Sequence, residues 1–168
     1  ALRYAIDYPN EVKSISVIDS VSEYDALLEL FVKQWKALAA TGNAEHFFWG
    51  MMPSIYGTSF IQNNMDTLTQ RAEMAKKLGP DYLKAQITLY ETFLKDVDFT
   101  EELANINCPA LIVCGEQDML KPVKYSRIMA EAIPHSEFAI IPDCGHVTIM
   151  EKPHVLNSLL LGFVTKHS

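Results

Sequence analysis

The sequence has few cysteines and none of them is paired in a recognisable motif. Only three occur, Cys108, Cys114 and Cys144, and no two of them have the C-x-x-C spacing. Disulfide frameworks use an even, dense set of cysteines, and zinc sites use close pairs. We therefore expect three free, buried thiols in a reducing compartment, with no metal and no cofactor.

Basic residues are fewer than acidic ones, and long apolar runs are absent. Lys and Arg number 14 against 21 Asp and Glu, which gives a formal net charge of −7. Nucleic acids and anionic membranes both require a positive surface, so neither class of partner is expected. No stretch reaches the roughly 18 apolar residues that span a bilayer, and no signal-peptide pattern opens the chain. These absences predict a cytoplasmic protein. The first residue is Ala1 and not Met, which indicates a processed or truncated piece.

The sequence is 49% hydrophobic. Its hydrophobic periodicity divides the chain into three segments. Residues 1–21 predict the end of a helix and then a strand. Residues 22–97 have helical periodicity only. Residues 98–168 alternate strands, in ALIVCG and EFAIIP, with helices. Strands that alternate with helices are typical of βαβ units, so the fold class is predicted as α/β with a parallel sheet and an inserted helical layer.

The finer pattern gives boundaries for these elements. The first strand is predicted at about 12–19, and Pro53 is predicted to stop the aromatic segment AEHFFWGMMPSIYG. Helices are predicted at about 60–78, 80–95, 123–133 and 153–166. The last helix is expected to bury one apolar stripe, formed by Leu156, Leu159, Leu160, Phe163 and Val164.

An acid and a histidine follow the last two predicted strands. Asp118 stands three residues after Gly115, and His146 follows Gly145 in the stretch IIPDCGHVTIMEKP. The carboxyl ends of neighbouring parallel strands lie at one edge of a sheet, so the two side chains can meet there. A neutral imidazole can take a proton from a hydroxyl or thiol, and a carboxylate behind it fixes the tautomer and stabilises the imidazolium. Glycines before each residue would permit sharp turns.

These stretches together resemble the C-terminal half of the α/β-hydrolase family, and the tail resembles its 3-oxoadipate enol-lactonase-like members. LIVCGEQD is similar to the family's acid loop and GHVTIMEKP to its histidine loop, while ALRYAIDYPNEVKSISVID resembles the helix after the nucleophile and the sixth strand. The resemblance implies a hydrolase core at 1–21 and 98–168, about three strands, and a helical cap at 22–97. It implies hydrolysis of an ester, a lactone or a related small carbonyl substrate, with carbon–carbon bond cleavage as a less specific reading.

The family's nucleophile motif is missing. No G-x-S-x-G or G-x-C-x-G occurs in the 168 residues, so the resemblance places the nucleophile upstream of Ala1. We therefore expect the isolated chain to be inactive. We also expect it to pair with the N-terminal half of the fold or to self-associate, because the strand at 12–19 would have a free edge. A non-catalytic binding or receptor module with the same fold remains the alternative.

The resemblance assigns roles to individual residues. His146 would be the base and Asp118 its orienting acid, although some family members place the acid after the sixth strand, where this chain has Asp19. Glu116 and Asp143 are interpreted as solvated loop residues, and Cys144 is not expected to be a nucleophile because no strained turn exposes it. A substrate pocket, or equally the packing of cap helices, is predicted for Phe48, Trp49 and Met52, and a substrate-binding role is also predicted for Val147.

Overall fold

Three short parallel strands form the sheet of the computed structural model, which describes residues 1–168. They are β1 (Ile15–Ile18), β2 (Ala110–Gly115) and β3 (Ser136–Ile141), in the order β1-β2-β3. Both pairs are parallel, with Ala110 of β2 opposite the first residue of each neighbour. The predicted α/β fold class with a parallel sheet is confirmed.

Helices connect and cover these strands. None of them combines the length and apolar character that a bilayer-crossing segment requires. In chain order they are α1 (Leu2–Asp7), α2 (Ala26–Ala40), α3 (Ala44–Ile55), α4 (Thr58–Ala75), α5 (Pro80–Asp96), α6 (Val123–Ala132), α7 (Thr148–Glu151) and α8 (Pro153–Lys166), with a 3-10 helix at Thr100–Asn105.

The central strand β2 is covered on both faces. All six of its residues are buried, which explains why ALIVCG is an uninterrupted apolar run and not an alternating one. On one face it packs in a cluster with α1, the 3-10 helix and α6, and Leu103, Ile106 and Met129 are fully buried there. On the other face it packs against Leu156 and Phe163 of α8. The sheet thus lies between two helical layers.

Strand β1 is shorter than the predicted 12–19. Pairing begins where the N–H of Ile15 donates to the carbonyl of Pro109, at the start of the partner strand. It ends because Asp19 has a φ of +48°, in the left-handed region that extended chain does not use. The end of β1 therefore turns the Asp19 side chain back toward the neighbouring strand.

Helices α2 to α5 lie between β1 and β2 in the chain and pack in one core cluster that also includes residues of the acid loop and of α6. Its fully buried members include Leu28 of α2 and Phe47 of α3. The prediction that Pro53 stops the aromatic segment is wrong, because α3 continues to Ile55. Pro53 lies in the last turn, where its missing N–H removes one helical hydrogen bond only. The assignment of residues 22–97 as a cap over the site stays a prediction.

Helix α8 buries a narrower stripe than predicted. Leu156 and Phe163 are buried, and Leu159 and Leu160 are half-buried. Val164 is 52% exposed, so its place in the stripe is corrected. The helix covers one face of a small sheet, and only the side chains that point directly at the strands find a partner surface.

Candidate active site

The structure brings the two predicted site residues together at the carboxyl edge of the sheet. Asp118 lies in the loop after β2, and His146 lies in the loop after β3. Nδ1 of His146 and Oδ2 of Asp118 are 2.8 Å apart. With Nδ1 bonded to the carboxylate, Nε2 is the ring nitrogen left to exchange a proton with another group.

The Asp118 carboxylate is also held in place by hydrogen bonds other than the one to the imidazole. Its Oδ1 accepts main-chain hydrogen bonds from Leu120 (3.0 Å) and Lys121 (2.7 Å). This local turn is the usual behaviour of an aspartate that accepts bonds from residues two and three positions on. The Asp118 side chain is fully buried, while the His146 side chain is 20% exposed. The acid is therefore shielded from water, and the base is accessible from one side.

The loops that hold these residues touch through their backbones. The N–H of Gln117 donates to the carbonyl of Cys144 (2.7 Å). A Cβ at Gly115 would overlap the carbonyl oxygen of Gly145, and one at Gly145 would overlap the N–H of Gly57. Neither Gly115 nor Gly145 has a positive φ, so a left-handed backbone is not the reason for glycine at either position. Glycine is required at both positions because the acid loop, the histidine loop and the turn between α3 and α4 approach each other too closely for any side chain.

Asp19 is a second buried carboxylate at this edge. Its Oδ1 accepts from the N–H of Gly115 (3.2 Å), and its Oδ2 accepts from the hydroxyl (2.8 Å) and N–H (3.3 Å) of Thr148. Burial raises the pKa of Asp19 to about 6, although the Thr148 hydrogen bonds oppose the shift. The carboxylate bonded to His146 is that of Asp118, and Asp19 joins the end of β1 to the other two loops.

Sequence reasoning missed Glu151 and Gln117, which link the site to the turn between α3 and α4. Glu151 accepts main-chain hydrogen bonds from both sides of His146 and from Gly57, and Gln117 accepts one from Thr58. The only sequence signal is the position of Glu151 in GHVTIMEKP, five residues after His146. A local pattern cannot show that its partner lies 94 residues away.

Other acids and thiols near the site have different environments. Glu116 is exposed, as predicted, and accepts from the N–H of Asp143 (3.1 Å). Asp143 is not simply solvated, since its carboxylate accepts from Lys152 (3.0 Å). Cys144 is buried, and burial raises the pKa of its thiol to about 12. A thiol with such a pKa is not a nucleophile near neutral pH.

His146 lines two clefts. One has a volume of about 230 Å³ and lies between α2, α5 and the acid loop, where Val32, Trp35 and Phe93 contribute to its walls. The other has a volume of about 420 Å³ and lies beside α8, and Val147 and Asp19 line it. The predicted substrate residue Val147 is therefore next to the base.

The predicted substrate residues of α3 lie elsewhere. Met52 is buried with Tyr56 and Leu68, and Phe48 and Trp49 pack against that cluster. None of the three residues Phe48, Trp49 and Met52 lines either cleft that contains His146. Their contact with a substrate stays a prediction.

This chain is similar to known proteins in family, sequence and structure. The protein-family description "alpha/beta hydrolase fold" matches residues 1–153. The crystal structure of MGS-M2, an alpha/beta hydrolase enzyme from a Medee basin deep-sea metagenome library, is 29% identical with a TM-score of 0.92, and the match covers 98% of this chain and 60% of that one. The enol-lactonase from Burkholderia xenovorans LB400 is similar in fold, with 15% identity, a TM-score of 0.82 and coverage of 98% and 60%.

A sequence relative comes from Azorhizobium caulinodans and is named "Putative carbamate hydrolase RutD". It is 25% identical over 162 residues, which cover 96% of this chain and 60% of the relative. The chain therefore spans about 60% of the length of the curated relatives that it matches.

Proposed function

Because this chain belongs to the alpha/beta hydrolase fold family, we propose that it supplies the acid and the base of a nucleophile–acid–histidine triad. The reaction proposed is hydrolysis of an ester, a lactone or a related small carbonyl compound. One observation carries the proposal: the 2.8 Å hydrogen bond between the buried carboxylate of Asp118 and Nδ1 of His146. The nucleophile is proposed to lie outside these 168 residues, since no G-x-S-x-G occurs in them. Without it, the chain by itself would be inactive.

In this mechanism His146 moves the proton and Asp118 holds His146. Nε2 of His146 takes the proton of the nucleophile's hydroxyl as the oxygen attacks the carbonyl carbon. The imidazolium that forms is stabilised by the adjacent carboxylate of Asp118. His146 then protonates the leaving group, which breaks the acyl bond and leaves an acyl-enzyme. In the second half, His146 takes a proton from water as the water oxygen attacks the acyl carbon. His146 then returns that proton to the nucleophile's oxygen as the bond from this oxygen to the acyl carbon breaks, which frees the acid product.

The substrate is proposed to enter beside His146 in the cleft between α2 and α5. Seven of the nine residues that line it are apolar, which suits a small apolar acyl or alcohol group. Helices α2–α5, residues 22–97, would then cover the site as a cap. Similar proteins include an enol-lactonase and a protein named as a carbamate hydrolase, and both names denote cleavage at a carbonyl carbon.

The proposal is tested with the full-length protein that contains this chain and p-nitrophenyl acetate as the ester. Asp118→Asn should lower kcat by about 10⁴-fold, because the imidazole loses its orienting charge. Glu116→Gln changes an exposed acid of the same loop and should leave kcat nearly unchanged. Equal losses in the two variants would show that Asp118 is not the acid. Absence of turnover with every ester tried would favour a binding module.

A further inference from the structure

The side chain of Glu151 bridges two parts of the molecule that are distant in sequence. Its Oε2 accepts hydrogen bonds from the N–H of Gly57 (3.0 Å) and the N–H of Gly145 (2.9 Å). Its Oε1 accepts from the N–H of Val147 (3.3 Å). Gly145 and Val147 flank His146, whereas Gly57 belongs to the turn between α3 and α4. One carboxylate therefore holds both sides of the histidine and joins them to the helical layer.

Main-chain contacts make the same connection independently. The N–H of His146 itself donates to the carbonyl of Ile55 (2.7 Å), and Gln117 of the acid loop accepts from the N–H of Thr58 (3.0 Å). A Cβ at Gly57 would lie 2.9 Å from Oε2 of Glu151 and 3.1 Å from the N–H of Gly145. The turn between α3 and α4 is thus seated against the histidine loop without room for a side chain.

We propose that Glu151 is a positioning residue for His146, an inference that rests on the proposed hydrolase function. By accepting from the peptide groups on either side of His146, it keeps Nδ1 on Asp118 and Nε2 directed at the incoming hydroxyl. A carboxylate suits this task because its two oxygens accept several N–H bonds at once. Glu151 lines neither of the clefts at His146, so it acts through the histidine and not through the substrate.

The effect of removing the side chain follows from this arrangement. Glu151→Ala leaves three N–H groups without their acceptor, and the histidine loop can shift. A misplacement on the order of 1 Å at a reacting group costs about 100-fold in rate, so kcat should fall by about that factor while KM changes little. In Glu151→Gln the amide oxygen can still accept from Gly57 and Gly145. That variant should keep kcat within about fivefold, the equivalent of one hydrogen bond.

The experiment uses the full-length protein, with p-nitrophenyl acetate kinetics and the low-field proton NMR resonance of the His146 Nδ1–H as two readouts. Glu151→Ala should lose or shift the resonance together with kcat, and Glu151→Gln should retain both. The matched control is Glu116→Ala, which removes a glutamate that accepts one N–H in the same region, from Asp143. It should leave kcat and the resonance unchanged.

A purely structural role would lower the melting temperature of Glu151→Ala and leave kcat and the resonance as in the wild type, and that result overturns the inference. If Glu151→Ala does not fold, Glu151→Asp decides. The shorter side chain withdraws the carboxylate from the three N–H groups, so reduced kcat with a weakened resonance supports the inference, and wild-type values overturn it. The resonance is read without turnover, so a wild-type protein that hydrolyses no ester defeats the proposed function separately.

Discussion

Two buried aspartates lie at the carboxyl edge of the sheet, and their different hydrogen-bond partners indicate different roles. One oxygen of Asp118 accepts hydrogen bonds from main-chain groups of its own turn, and the other is bonded to His146. Asp19 accepts hydrogen bonds from Gly115, the last residue of β2, and from Thr148, the first residue of α7. Only the carboxylate of Asp118 can orient the imidazole directly. Asp19 ties the end of β1 to the end of β2 and to the start of α7, and it does so while buried and partly protonated near pH 6.

The pH dependence of stability tests this view of Asp19. Burial raises its pKa from 3.8 to about 6, so between these values the folded state binds more protons than the unfolded state. Stability is then lost as the pH rises from about 4 to about 6, by about 3 kcal/mol. Asp19→Asn should remove this loss. The variant should therefore gain stability relative to the wild type as the pH rises, as measured by urea unfolding of the full-length protein at pH 4 to 7.

Asp143→Asn provides a control with the opposite sign. Hydrogen bonds from Ser59 and Lys152 lower the pKa of Asp143, so its contribution to stability is present above its ordinary pKa and is lost as the pH falls. Because the ordinary pKa is 3.8, the stability difference between Asp143→Asn and the wild type should stay nearly constant between about pH 5 and 7 and should shrink as the pH falls below about 4. If the free energies of unfolding of Asp19→Asn and the wild type differ by the same amount at every pH from 4 to 7, the role assigned to Asp19 is contradicted.

At the scale of elements, the sequence predicts local structure well and contacts between distant segments poorly. The all-apolar run of β2 and the placement of Asp118 and His146 after successive strands follow from local pattern and from the geometry of parallel sheets. The bonds from Gly57 to Glu151 and from Thr148 to Asp19 join residues 94 and 129 positions apart. Periodicity has no information on such pairs, so the anchoring of the histidine loop was not predictable.

Helix α3 shows the same limit. The pattern of aromatic and methionine residues in its sequence is typical of a substrate pocket and of a packed core alike. The structure buries Met52 with Tyr56 and Leu68. Met52→Ala should therefore lower the free energy of unfolding by about 2–5 kcal/mol and leave KM for p-nitrophenyl acetate unchanged. Leu89→Ala, in the cleft that we propose for the substrate, should change KM with a smaller loss of stability, because the Leu89 side chain is 58% exposed. A changed KM with unchanged stability in Met52→Ala would restore its predicted role in substrate binding.

At the scale of the whole molecule, the sheet has two outer strands, and β1 is one of them. The outer edge of β1 therefore bears main-chain groups without a ladder partner, as an edge strand does. The predicted association through this edge, with further strands of the same fold or with a second copy, stays a prediction. The family assignment and the coverage of about 60% of the relatives agree with the resemblance to a C-terminal half that the sequence suggested.

Under the proposed function, His146, oriented by Asp118, activates a nucleophile that lies outside these 168 residues, in which no G-x-S-x-G occurs. Covalent labelling of the full-length protein with a fluorophosphonate tests it most directly, because this reagent reacts with hydroxyl nucleophiles that a neighbouring base activates. Mass spectrometry of the digested protein locates the adduct. The account predicts one labelled serine outside residues 1–168 and no labelling in His146→Ala. An adduct on a residue of this chain, or labelling that survives His146→Ala, would contradict it.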